Sequence, residues 1–114
     1  MELKCIVHIH SDMSSGTYSL PELTETAKNY GIDVLFLTDS LTQSIEYGLL
    51  PWRHILWAGH SRPSILTLGP KRYLAAIQRE NDRQSDVLYI PGAEICPRIY
   101  WTGSMARKNL TCHD

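Results

Sequence analysis

The chain has 114 residues, with 11 Lys and Arg against 12 Asp and Glu, five His, 43% hydrophobic residues and a formal net charge of −1 at pH 7. That length supports one domain with a core but excludes a complete eight-stranded (β/α) barrel, which needs about 200–250 residues. A near-neutral charge offers no footprint for nucleic acid or anionic lipid, and no run reaches the ~20 apolar residues of a membrane span.

The segment from Met1 to His8 has no basic leader followed by an apolar region of ~7–15 residues, so no secretory signal is expected. Cys5, Cys96 and Cys112 are odd in number and lack framework spacing. They read as reduced thiols, which predicts a cytoplasmic protein.

Lys4 to His10 alternates and is rich in β-branched residues, predicting a strand with Cys5, Val7 and Ile9 toward the core. A hydroxyl-rich loop around Gly16 follows. Ser19-Leu20-Pro21-Glu22 matches a capping box with Pro in the first turn. Leu20, Leu23, Ala27 and Tyr30 then form a helical stripe that ends at Gly31. Val34 to Thr38 is a continuous apolar run, as in a strand buried on both faces of a parallel sheet.

Residues 41–69 are punctuated by Gly48, Gly59, Pro63 and Gly69-Pro70, leaving room for a short helix opened by Pro51 through Trp52, Ile55 and Leu56. Pro70 to about Arg83 is predicted helical, with Tyr73, Leu74 and Ile77 on one face. Val87 to Ile90 predicts a third buried strand, ended by Pro91-Gly92. The tail from Cys96 reads as irregular, with Leu110 to His113 as the start of a fourth strand. The alternating order predicts an α/β fold with a parallel sheet or part of a barrel.

Chemistry is expected where strands end. In parallel α/β folds ligands collect outside the carboxyl ends of the strands. His8 and His10, two apart on the first strand, share one face at a spacing of about 6.6 Å along it. His10 stands at the end of strand one, Asp39 at the end of strand two and Glu94 just after strand three. Imidazole with carboxylate suits Zn²⁺, Mn²⁺ or Fe²⁺. Each residue also has an ordinary reading: the imidazoles as half-buried polar tips, Asp39 as a cap on the following turn, Glu94 as a solvated loop acid. The Ser14–Gly16 loop and the amides opening the Ser19 helix are candidate phosphate contacts. Arg53, His54, His60 and Arg62 form a short basic stretch, but nucleic acid is not the expected partner.

The run from His8 to Ser40, together with Pro91-Gly92-Ala93-Glu94, resembles the amino-terminal part of the polymerase and histidinol phosphatase (PHP) domain family. The family pattern is HxHS…SDG, a helix of ELxxxAKxxG type, ITDH, then PGxE. The resemblance implies a distorted (β/α) barrel with mostly parallel strands, here partial and incomplete at its carboxyl end. It also implies divalent metal ions and hydrolysis of phosphoesters. His8 and His10 carry over as metal ligands, and Glu94 as a bridging carboxylate. The expected substrate is a phosphorylated small molecule or nucleotide, with Arg98 as a candidate phosphate contact.

Two positions depart from the pattern. Ser15 stands where the family has the acid of SDG, and Ser40 where it has the His of ITDH. Serine is a poor ligand at neutral pH, so Asp12 or Asp39 is the candidate substitute, with His113 a further candidate ligand if Leu110 to His113 forms a strand. The family's later His and Asp ligands would lie beyond Asp114. Two functions stay open: a metal-dependent phosphoesterase, or a non-catalytic PHP-like binding module. An open barrel portion also predicts self-association through its sheet edge.

Overall fold

The elements follow from where the apolar runs can be buried. A computed structural model describes the backbone of residues 2–48, 55, 57–95, 98–104 and 107–113, and the side chains of 2–43, 55 and 61–95. In chain order the elements are β1 (Cys5–Ile9), α1 (Leu20–Tyr30), β2 (Val34–Leu37), β3 (Ser44–Gly48), β4 (Trp57–Ser61), α2 (Ile65–Leu68), α3 (Pro70–Arg83), β5 (Leu88–Pro91), β6 (Arg98–Ser104) and β7 (Arg107–His113). No helix among the described residues is long and apolar enough to cross a membrane.

β1, β2 and β5 form a three-stranded parallel open sheet in the order β1-β2-β5. The most apolar run takes the centre, where both strand edges are hydrogen-bonded: Val34, Leu35 and Leu37 are buried and Phe36 is half-buried. Leu35 and Leu37 join Tyr89 of β5, Leu20, Leu23 and Ala27 of α1, and Tyr73 and Ile77 of α3 in one core. Burying a Leu side chain of this kind stabilises by about 1.5–3 kcal/mol. The fold is thus a small α/β arrangement with an open sheet.

Each helix is fixed by its ends. At the start of α1 the Glu22 carboxylate accepts from the Ser19 amide (2.8 Å) and hydroxyl (2.7 Å). Gly31 closes the helix in the left-handed region at φ 65°, which disfavours a side chain. α3 begins at Pro70 and buries Tyr73, Ile77 and Glu80. The helices meet through Thr24 Oγ1, which donates to Glu80 Oε1 at 2.7 Å and lies 3.0 Å from the Tyr89 hydroxyl. Asn81 acts as a substitute strand at the β5 edge, donating to Tyr89 O and accepting from Tyr89 N, both at 2.9 Å.

Several expectations are corrected. Cys5 and Val7 are exposed, Val7 at 69%, because β1 is an edge strand with little packed against its faces. Ile9 does pack against the core. Tyr30 and Leu74 are exposed, and Glu80 with its partners occupies the inward position after Ile77. Leu88 is 52% exposed, so β5 is buried on one face rather than both.

Residues 41–69 contain an antiparallel hairpin of β3 and β4 followed by α2; residues 49–54 and 56, on which the short helix was expected, lie outside the described residues. The described part of the tail, residues 98–104 and 107–113, is paired strand and not irregular. β6 and β7 pair antiparallel from Arg98 opposite His113 to Ser104 opposite Arg107. β6 is rich in aromatic and β-branched strand formers, Ile99, Tyr100, Trp101 and Thr102. The strand containing Leu110 to His113 therefore pairs with β6 and does not extend the parallel sheet.

Candidate metal centre

The site is assembled at the carboxyl rim of the sheet. β1 ends at Ile9, whose carbonyl accepts from Thr38 N at 2.8 Å, so His10 leaves the sheet beside the end of β2. Pairing between β2 and β5 continues beyond the strands: Gly92 N donates to Leu37 O (2.7 Å), Glu94 N to Asp39 O (3.0 Å), and Leu41 N to Glu94 O (2.9 Å). A Cβ at Gly92 would lie 3.0 Å from Leu37 O. The small residue lets the two segments run together up to Glu94.

Three of the expected ligands converge. Donor atoms of His8, His10 and Glu94 all lie within 4.8 Å of one another. His10 Nε2 is 3.2 Å from His8 Nε2 and 2.9 Å from Glu94 Oε2. The two rings are tilted at 54° with centroids 5.0 Å apart. Donors held about 2.1 Å from one ion are separated by about 3.0 Å at a right angle and about 3.4 Å at the tetrahedral angle. The two separations from His10 Nε2 are close to that interval and the third is no more than 4.8 Å, so the three donors are close enough to hold a divalent ion. His8 is exposed, and the side chains of His10 and Glu94 are 18% and 32% exposed, so an ion could reach them from solvent.

Asp39 does not join them. It is fully buried, and its carboxylate accepts from Ser11 N (2.7 Å), Ser11 Oγ (2.7 Å) and Ser14 Oγ (2.5 Å). The carboxylate holds the turn that follows β1, so it neither joins the ligand group nor caps the turn after Asp39 itself. The Tyr73 hydroxyl, held by Gly92 O at 3.1 Å, is pushed well above the usual phenol range by burial and by the Asp39 charge. Tyr73 thus acts as a neutral donor bracing the rim. Ser40 is also buried, and its hydroxyl accepts from Gln43 Nε2 at 2.9 Å.

Part of the expected phosphate cradle is occupied by the chain itself. The amides of Ser14 and Gly16 both donate to Ser11 O (3.1 and 2.9 Å), and Met13 N donates to Ser11 Oγ at 3.2 Å. Glu22 already fills the α1 terminus with negative charge. These donors are spent within the chain. Arg98 and His113 are register partners in the β6–β7 hairpin, but their side chains lie outside the described residues, as do Arg53, His54 and the His60 side chain.

One contact went unrecognised in the sequence. Ser15 Oγ lies 2.7 Å from His10 Nδ1, on the ring nitrogen opposite to the one that faces Glu94 and His8. A Cβ at Gly16 would meet His10 O at 2.2 Å, so only glycine lets the 11–16 turn fold back tightly enough to make this contact. The signal available in the sequence was that glycine directly after Ser15.

No protein family, curated protein or solved structure matches the chain.

Proposed function

We propose that the chain carries a divalent-cation site of a PHP-type metal-dependent phosphoesterase, with His8, His10 and Glu94 as ligands. The observation that carries this reading is the meeting of the three donors at coordination-like spacing on one rim of a parallel sheet. Two imidazoles and a carboxylate suit Zn²⁺, Mn²⁺ or Fe²⁺. When bound, such an ion supplies Lewis acidity to a phosphoryl oxygen and to water. The chain's own residues hold and orient: β1 supplies His8, the residue directly after it supplies His10, and the extended β2–β5 ladder supplies Glu94.

On this reading the open sheet is the amino-terminal part of a distorted (β/α) barrel, and the substrate is a phosphorylated small molecule or nucleotide. The exposed β1 edge is then a surface for self-association.

The test is turnover of a chromogenic phosphate monoester by purified chain loaded with Zn²⁺ or Mn²⁺. The reading predicts cation-dependent release of phosphate that a chelator and His10→Ala both abolish. Saturable cation binding without turnover of any phosphoester would overturn the hydrolytic part.

A second reading has its own support. Asp39 and Ser40, at the family's ITDH positions, are committed to Ser11, Ser14 and Gln43. A site with so few ligands suits a non-catalytic module that binds one cation. Gain of turnover in Ser40→His would favour the enzyme; one bound cation with no turnover in either protein would favour the module.

A further inference from the structure

We infer that Ser15 is a positioning residue for the cation site: its hydroxyl accepts the Nδ1 proton of His10 and thereby presents the Nε2 lone pair to the ion. This rests on the cation-site reading above and assigns a role to a residue outside its ligand set.

The two nitrogens of His10 face different neighbours. Nε2 is 2.9 Å from Glu94 Oε2 and 3.2 Å from His8 Nε2, whereas Nδ1 is 2.7 Å from Ser15 Oγ. A neutral imidazole carries one proton, and coordination through Nε2 requires it on Nδ1. That proton then needs an acceptor, and the partner of the non-ligating nitrogen sets both ring orientation and ligand basicity. Among the described residues, Ser15 Oγ is in hydrogen-bond reach of Nδ1. Lying behind the ring, it serves as the partner of a ligand and not as a ligand.

The turn fixes this serine on both sides. Ser14 is buried with its hydroxyl on Asp39. Gly16 N donates to Ser11 O, and the close approach of Gly16 to His10 O leaves no room for a side chain. Ser15 itself is exposed, so its hydroxyl contributes to the ring and not to the core. An acid at this position would also accept from Nδ1, so the departure from the family's SDG pattern need not cost the site its orientation.

The test is Zn²⁺ titration of the full chain and its Ser15→Ala and Ser15→Thr variants, with nitrogen NMR of the His10 ring and circular dichroism to verify the fold. Ser15→Ala is expected to lower Zn²⁺ affinity by about 10–100-fold with an unchanged fold. Its His10 Nδ1 proton should exchange rapidly, while Ser15→Thr restores both affinity and a protected Nδ1 proton. Equal affinity in wild type and Ser15→Ala, or a Zn²⁺-loaded wild type with no proton on Nδ1, would overturn the inference and leave the ligand assignment standing. A wild-type chain that binds no Zn²⁺ overturns the cation site and this inference together.

Discussion

The amide of Glu94 donates to the carbonyl of Asp39 at 3.0 Å. The Asp39 carboxylate meanwhile takes the amide and hydroxyl of Ser11 and the hydroxyl of Ser14. One residue therefore ties three parts of the rim together. Its main chain carries the segment that follows β5, and its side chain holds the turn that follows β1. The spacing between His10 and Glu94 depends on a residue that donates nothing to an ion.

Asp39→Ala is expected to lose about 2–4 kcal/mol of stability, because buried donors on Ser11 and Ser14 lose their acceptor. Urea denaturation measures this. Asp39→Asn keeps the shape and one acceptor oxygen, so it should cost less and retain Zn²⁺ binding. Loss of binding in a folded Asp39→Asn protein would instead make Asp39 a ligand.

Gly16→Ala forces a Cβ to within 2.2 Å of His10 O, a backbone atom that has little room to yield. The turn must open, at a cost of about 1–3 kcal/mol. Thermal unfolding should show the loss, and Zn²⁺ affinity should fall with it because Ser15 and His10 move apart. Wild-type stability and affinity in Gly16→Ala would contradict the close approach.

The pair of α1 and α3 carries an acid dependence. Glu80 is buried, with Arg83 donating at 2.9 and 2.6 Å and Thr24 at 2.7 Å. Chiefly through the Arg83 hydrogen bonds, its carboxyl is held below the ordinary value of 4.5. A depressed folded value means that this stabilisation is complete above the unfolded value and is lost as pH falls through the folded one. Denaturation curves between pH 7 and pH 3 should show Glu80→Gln less stable than wild type at neutral pH, with a shallower decline below about pH 4.5. An unchanged acid slope in Glu80→Gln would exclude this role.

Much of this architecture was legible where a signal is local. Ser19, Pro21, Glu22 and Gly31 mark both ends of α1, and the uninterrupted apolar run of β2 marks the central strand. The convergence of His8, His10 and Glu94 followed from period-two spacing and the rule that parallel strands share one functional rim. What stayed hidden depends on neighbours distant in sequence. Alternation in β1 assigned Val7 to a face, but nothing local reveals whether that face is covered. Asp39 could turn outward or inward, and the choice is made by Ser11 and Ser14, 25 to 28 positions earlier. Ser15 read as a missing ligand because the pairing of a hydroxyl with the rear nitrogen of an imidazole leaves no trace in residue spacing.

The most direct measurement is calorimetric titration of Zn²⁺ into the wild-type chain and into His8→Ala, His10→Ala and Glu94→Gln. The account predicts one ion per wild-type chain and at least about tenfold weaker binding in each variant, with circular dichroism unchanged. No saturable binding in wild type, or equal binding in all four proteins, would contradict it.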